Sequence, residues 1–256
     1  MARKITVILP TTVETSRNIA RHLKGLDIEV IIMPIIKAEI DWGEVERARN
    51  FFSSNIEVDM TVFTSKTAVE IVREHIIEAW KHVEKYALAI GPGTASLLKS
   101  LGVRKVETPV EHSSKGLINI LSKTIGISQL VLYCSKDVNA LLEEFIKEKF
   151  PESIIFKLYS ISELSENVKK IVGLVRSDNS KNFIIILSSM RILRSLLSER
   201  ELLEARNVFF SVFSKRLLEE AERRGVHIHH CPEANDLKNY YLDLREYINK
   251  LLRNLG

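Results

Sequence analysis

The sequence predicts an α/β protein of two lobes, each a parallel five-stranded sheet dressed with helices, joined by a two-stranded linker with a cleft between them. Three observations carry that prediction. Short β-branched runs alternate with longer stretches of helical period, the pattern of βαβ units. Ten such runs occur, too many for one tidy open sheet in 256 residues, so two sheets of five are more economical. The order of elements also repeats about half a chain later.

In chain order, strands are expected at 5–9, 28–33, 60–63, 87–90, 103–107, 130–134, 154–158, 183–187, 208–210 and 227–230. Apolar spacing of three and four places helices at 13–24, 66–81, 93–101, 114–123, 137–149, 190–197, 214–224 and 236–254. The repeat is visible at two turns. Phe63-Thr64-Ser65-Lys66-Thr67-Ala68 recurs in character 124 positions later as Leu187-Ser188-Ser189-Met190-Arg191-Ile192. Ala89-Ile90-Gly91-Pro92-Gly93-Thr94 is matched at a separation of 120 by Phe209-Phe210-Ser211-Val212-Phe213-Ser214. The glycines and prolines that follow, Gly102 with Gly225 and Pro109 with Pro232, lie 123 apart, a discrepancy that one inserted helical turn would reconcile. The first half holds two strands in excess. Residues 1–35 are therefore expected to cross over and join 165–256 in one discontinuous domain, with 40–158 forming the other and 33–39 and 157–164 linking them.

Composition removes several classes of function. Gly and Pro together make 16 of 256 residues, about half the usual share, so fibrous and low-complexity readings fail. The net charge of +4 is spread along the chain with no basic tract, which speaks against a nucleic-acid partner or a membrane patch. Apolar runs fall far short of the roughly 20 residues that span a bilayer. The start, Met1-Ala2-Arg3-Lys4, runs into a strand-like segment with no signal-peptide pattern. Cys134 and Cys231 form no CxxC. A cytoplasmic location is expected.

Ligands of open parallel sheets bind beyond the carboxyl ends of the strands, where helix N-termini point. The residues expected there are mostly hydroxyl-bearing or glycine: Thr11; Thr64, Ser65, Lys66 and Thr67; Gly91, Gly93 and Thr94; Ser113, Ser114, Lys115 and Gly116; Ser188 and Ser189; Ser211, Ser214 and Lys215. Helix capping explains any one of the hydroxyls. As a set they describe rings of helix N-termini that bind anions, and two opposed rings suit a ligand with many carboxylates or phosphates. Lysines 66, 115, 136 and 215, each placed in a first helical turn, oppose the helix dipole and strengthen that reading. Other chemistries lack their motifs. Gly91-Pro92-Gly93 has no third glycine of a dinucleotide fingerprint, and there is no P-loop, GxSxG or HExxH. His227, His229 and His230 split between two strand faces and have no acidic partner nearby, so no metal is expected. Tyr159, closing the strand at 154–158, is either a packed ring or a proton donor.

These residues together resemble the uroporphyrinogen-III synthase family. The resemblance rests on Thr61-Val62-Phe63-Thr64-Ser65-Lys66-Thr67-Ala68-Val69, on Ala89-Ile90-Gly91-Pro92-Gly93-Thr94-Ala95 with Leu97, Leu98 and Gly102, and on Pro109 before Ser113-Ser114-Lys115-Gly116-Leu117. It extends over essentially the whole chain, including Pro34 and Tyr159. It implies two flavodoxin-like or Rossmann-like lobes joined by a β-ladder, with the active site between them. It implies a monomer without cofactor that cyclises hydroxymethylbilane, inverting the last pyrrole ring and losing water, to give uroporphyrinogen III. It also implies that Tyr159 stands near the leaving hydroxyl. Two stretches depart from the family pattern. Ile8-Leu9-Pro10-Thr11 has no arginine after the first strand, which leaves Arg17 as a replacement cation, and no glycine stands near Ser211. The competing function is a non-catalytic two-lobed binding or sensor protein for an anionic small molecule.

Overall fold

A computed structural model of the chain describes residues 4–54, 56–232 and 237–255. Among them the strands form two sheets. β1 (Ile5–Leu9), β2 (Ile28–Ile32), β9 (Asn182–Leu187) and β10 (Val208–Val212) make a four-stranded sheet in the order β10-β9-β1-β2. β3 (Ile36–Ile40), β4 (Met60–Phe63), β5 (Ala87–Ala89), β6 (Val106–Glu107), β7 (Leu130–Ser135) and β8 (Ile154–Glu163) make a six-stranded sheet in the order β3-β8-β7-β4-β5-β6. The expected division into five and five is thus corrected to four and six. Residues 227–230 do not form the fifth strand of the first sheet: only His230 bridges to Ser211. The second sheet gains β3, which meets β8 in descending order along the chain. The Asp41 N–H reaches the Leu158 carbonyl at 2.8 Å, and the Leu164 N–H reaches the Ile35 carbonyl at 2.7 Å.

By its contacts the chain divides into two units, Met1–Lys37 with Glu163–Gly256, and Ala38–Ser162. In the second, α2 (Trp42–Phe52), α3 (Lys66–His75), α4 (Ile77–Val83) and α5 (Pro92–Ser100) bury Val45, Val69, Val72, Trp80 and Leu98 on one sheet face, with Phe63, Tyr133 and Phe156. α6 (Ser114–Lys123) and α7 (Ala140–Lys149) bury Leu117, Leu121, Leu142 and Ile146 on the other, with Val62, Leu132 and Leu88. Strands covered on both faces are apolar throughout, which is why β4 and β7 read as continuous hydrophobic runs. In the first unit, Ile5, Val7 and Leu9 of β1 alternate toward α1 (Val13–His22) and α12 (Leu237–Leu255), meeting Ile19, Tyr240, Leu244 and Ile248. The helix expected over 236–254 is α12, position 236 lying outside the described residues.

Three helices escape the periodicity reading: α2, α8 (Ser165–Ser177) and α10 (Arg200–Glu204). The first carried a signal. Asp41 stands three residues before Glu44, and its side chain accepts the Glu44 N–H at 3.1 Å, the first half of a capping box. The expected helix over 66–81 breaks at Ile76, whose non-helical backbone (φ −131°, ψ 66°) ends α3 and starts α4 while its side chain stays fully buried.

The internal repeat is more regular than its letters suggest. β5 ends at Ala89 and β10 at Val212, 123 positions apart, so the cap Gly91 corresponds to Ser214 rather than to Ser211. No inserted turn is needed. α5 and α11 (Lys215–Arg223) then end on glycines with left-handed φ, 91° at Gly102 and 71° at Gly225. Each helix is closed by the same bond, Val103 N–H to Leu98 C=O at 3.1 Å and Val226 N–H to Ala221 C=O at 3.0 Å.

Gly116 has a different reason. A Cβ there would collide with the Glu111 carbonyl and come within 2.9 Å of the Pro109 side chain, so glycine lets α6 start flush against the preceding turn. Gly116→Ala is expected to lower unfolding stability in urea by about 1–3 kcal/mol through overpacking. Gly173→Ala, in mid-α8 with no atom within 4 Å of the new methyl, should raise it by about 0.5–1 kcal/mol.

Candidate functional site

Strand order reverses at one place in each sheet, and the crevice beyond the strand ends at that place is where an open α/β sheet binds ligands. In the six-stranded sheet β5 and β6 lie on one side of β4, and β7 and β8 on the other, so the reversal falls between β4 and β7. In the four-stranded sheet it falls between β1 and β9. Thr64 and Ser65 follow β4, Ser135 ends β7, Pro10 and Thr11 follow β1, and Ser188 and Ser189 follow β9.

Beyond β4 and β7 lies a cavity of about 300 Å³ lined by Thr64, Ile90, Ser114, Ser135, Asp137, Val138 and Asn139. Thr64 and Ser114 belong to the residues expected from sequence. Asp137 and Asn139 do not, because they stand in the loop between β7 and α7, three residues longer than the expected helix start at 137 allows. Lys136 also lies in that loop, not in a helical first turn as expected. It pairs with Asp41 at 2.7 Å, which pulls the Asp41 carboxyl below its ordinary range.

Tyr159 is the β8 residue paired with Ser135, which lines this cavity; Tyr159 itself packs on the α2–α5 face of the sheet. Its ring is 6% exposed, and its hydroxyl donates to the Ser65 hydroxyl at 2.8 Å. Burial raises the phenol above its usual pKa, and the hydroxyls of Ser65, Ser135 and Thr67 oppose that rise. One strand away, Tyr133 is fully buried between Phe63 and Phe156, ring centroids 4.9 and 5.9 Å apart, and burial pushes its phenol well up. The Cys134 thiol, buried on the opposite face, is pushed to about 12, which makes it an unreactive packing group.

Capping sorts the expected hydroxyls into two kinds. Ser65 accepts the Ala68 N–H at 3.1 Å, Ser113 the Gly116 N–H at 3.1 Å and Ser189 the Ile192 N–H at 3.4 Å, so these three serve the starts of α3, α6 and α9 (Met190–Leu196). The starts of α1, α5 and α11 carry no side-chain cap: Thr12, Gly91 and Ser214 make no such bond. Their first amides keep the positive end of the helix open to an anion. The repeat preserves the distinction, with capped Ser65 and Ser189 at equivalent places and uncapped Gly91 and Ser214 likewise.

Gly91 and Gly93 are hemmed in by side chains. A Cβ on Gly91 would stand 3.3 Å from that of His112, and one on Gly93 would stand 3.2 Å from Cε of Lys66. Lys66 therefore runs alongside the start of α5, and Thr94 is buried in that helix's first turn. Lys115 is exposed in the first turn of α6, and Lys215 in that of α11.

In the first unit Thr11 is 4% exposed, its carbonyl accepting from the Ser16 hydroxyl at 3.2 Å, while Arg17 is exposed one turn into α1. Ser188 is half-buried at the end of β9. Ser211 is corrected from a helix-start residue to a strand residue. It lies inside β10, fully buried, with its hydroxyl 2.8 Å from Nδ1 of His230 and 3.1 Å from the Tyr240 hydroxyl. The β10 strand runs two residues beyond its expected end at 210, which carries Ser211 into the core. His229 is engaged as well, its Nδ1 accepting the Phe210 N–H at 3.2 Å.

The family described as Uroporphyrinogen-III synthase HemD matches residues 17–240 of the chain. Among solved structures, the chain is similar to a methionine-substituted uroporphyrinogen III synthase of the extremely thermophilic bacterium Thermus thermophilus, with a TM-score of 0.62 and 16% identity over 98% of this chain and 99% of that one. It is also similar to uroporphyrinogen-III synthetase of Helicobacter pylori 26695, with a TM-score of 0.57 and 14% identity over 96% and 99%. At these identities the likeness is one of fold. No curated protein sequence matches.

Because Ser113 and Ser189 cap and Ser214 does not, Ser113→Ala and Ser189→Ala should each lower stability by about 1 kcal/mol in urea titrations, and Ser214→Ala by only a few tenths. The buried phenols of Tyr133 and Tyr159 set an alkaline limit. Their folded pKa values lie above the unfolded value of about 10, so their contribution is complete below that pH and lost as pH rises past it. Urea midpoints should be level from about pH 7 to 8, begin to fall above about pH 8.5 where the unfolded Cys134 thiol ionises, and fall more steeply above about pH 10; Tyr133→Phe should make the second fall shallower.

Proposed function

The chain belongs to the uroporphyrinogen-III synthase family, and we propose how its residues serve that family's reaction. The enzyme cyclises hydroxymethylbilane to uroporphyrinogen III, inverting the terminal pyrrole ring and releasing water. The substrate is a flexible linear tetrapyrrole carrying eight carboxylates.

Its carboxylates are met by helix starts. In the second unit the uncapped amides of α5 take carboxylates, supported by Lys66 beside Gly93; in the first, the uncapped amides of α1 and α11, with Lys215 in the first turn of α11, are open to acid groups in the same way. The hydroxyls of Thr64 and Ser114 line the cavity beyond β4 and β7 and contact one pyrrole ring with its acid arms. Thr67, Gly91, Thr94, Lys115, Thr11 and Ser188 add contacts near their helix starts, whereas Ser113, Ser189 and Gly116 shape those starts. Ser211 holds His230 and Tyr240 in place and stays out of contact with substrate.

Tyr159 is the group at the leaving hydroxyl. The carbon–oxygen bond of the hydroxymethyl arm breaks as the pyrrole nitrogen's lone pair forms an azafulvene, the proton given up by that pyrrole N–H goes to the departing hydroxyl so that it leaves as water, and a hydrogen bond from Tyr159 accompanies the departing oxygen. A phenol raised by burial is a weak acid at neutral pH, so its role is to orient that oxygen rather than to ionise. The larger part of the acceleration comes from folding the chain of rings so that the correct carbon closes on the azafulvene. The observation that carries this reading is the hydrogen-bonded phenol of Tyr159 beside the strand-order reversal of the six-stranded sheet.

We read the protein as a monomer of the cytoplasm with no nucleic-acid partner. Supporting this, no helix of the described residues is long and apolar enough to cross a membrane, and the +4 net charge is dispersed.

Given hydroxymethylbilane, the purified protein should yield the type III isomer faster than spontaneous closure yields type I. Type I alone from folded protein would overturn the reading. Tyr159→Phe should slow type III formation about tenfold or more, the worth of one hydrogen bond in the transition state, while leaving the unfolding midpoint close to that of the parent.

A further inference from the structure

The register of β8 against β7 slips at one residue. Cys134 pairs with Lys157 and Ser135 with Tyr159, so Leu158 is an extra residue with no partner on β7. A bulge of this kind reverses the alternation of side chains. Ile154, Phe156 and Leu158 face the α2–α5 side of the sheet, and after the bulge Tyr159 and Ile161 face it too. Ile155, before the bulge, faces α6 and α7. Strict alternation would have sent Tyr159 to that opposite face, away from α3. The bulge instead turns its ring toward the one side of the sheet where the start of α3, and hence Ser65, can meet it.

Ser65 is held as firmly as Tyr159. Its oxygen accepts from the Ala68 amide at 3.1 Å and from the Tyr159 hydroxyl at 2.8 Å. Both lone pairs of that oxygen are then engaged, and the one proton of Tyr159 points at Ser65. Toward a ligand, Tyr159 shows lone pairs only. To donate to a leaving hydroxyl, the pair must reverse, with Ser65 donating to Tyr159 and Tyr159 donating outward. Two hydroxyl hydrogens rotate and no proton changes residue.

We propose that Ser65 is the positioning residue of Tyr159, acting through the phenol and not on the substrate, and that the β8 bulge exists to bring the two hydroxyls together. This rests on the reading of Tyr159 given above. It reassigns Ser65 from the substrate contacts to a partner that aims the phenol and supports it as a donor. The slowed step is loss of the hydroxyl group, so the effect belongs to kcat and not to KM.

The test is a double-mutant cycle on isomer III formation with Ser65→Ala, Ser65→Thr, Tyr159→Phe and the Ser65→Ala/Tyr159→Phe pair. Ser65→Ala should lower kcat about five- to tenfold with KM within about twofold, and Ser65→Thr, which keeps the oxygen, should recover most of the loss. In the Tyr159→Phe background, Ser65→Ala should cost nothing further. An equal loss in both backgrounds, or a loss confined to KM, would place Ser65 on the substrate and overturn the proposal while leaving Tyr159 in its role. An unchanged kcat in Tyr159→Phe would overturn the Tyr159 reading itself, and the proposal with it. The pairing is read independently by the tyrosinate absorbance titration. Ser65→Ala should shift one ionisation upward relative to the parent, and that shift should vanish in the pair; a titration identical to the parent would also count against the proposal.

Discussion

Parallel strands buried on both faces constrain everything else in this molecule. A parallel neighbour can be reached only by crossing over the sheet, and the crossing segment must also cover an apolar face, so it is a helix. Each such helix starts where a strand has just ended. The N-termini of the helices that directly follow parallel strands therefore gather along one edge of the sheet, with their unpaired amides and their positive dipole ends. The strands themselves are too apolar to host chemistry: Val62, Leu132, Ile184 and Ile186 are fully buried. What remains for a ligand is the edge, and at that edge stand threonines, serines and glycines.

Those helix starts are not equivalent. A serine that caps its own helix has used its oxygen on the third amide, and it offers a ligand less than its hydroxyl suggests. Ser113 and Ser189 are of that kind. An uncapped start such as those of α5 and α11 is the better anion site despite having less side-chain chemistry. The two halves of the chain agree on which is which, at an offset of 124 for Ser65 and Ser189 and of 123 for Gly91 and Ser214, the latter extending to the closing bonds at Gly102 and Gly225.

Tyr159 illustrates a second principle, that a change in register can do what composition cannot. Its neighbours along β8 are Leu158 and Ser160, neither of which marks it as special. Its environment is set by one unpaired residue, which swaps the face it points to, and by a serine 94 positions away that awaits it at the start of α3.

Element types and the chemical character of the strand ends are legible from the residues alone, because both are local. Hydrophobic period and β-branched runs gave the strands at 5–9 and 60–63 and the helix at 114–123 with their boundaries, and the FTS, GPG and SSKG turns marked the edge where strands end and helices begin. The helix over 42–52 was legible too, in Asp41 and Glu44, though it lacked a strong apolar stripe. Sheet membership belonged to the tertiary structure. The 227–230 segment is as strand-like to the eye as others, yet it contributes one bridge, while 36–40 joins the larger sheet through bonds to residues more than 110 positions away. Hydrogen bonds between strands depend on which segments lie side by side, and no local pattern encodes that. The same reason separates Ser65 from Ser211. Both are serines near a strand end, but one meets a phenol and a helix amide at the edge, and the other is enclosed by His230 and Tyr240 within its strand.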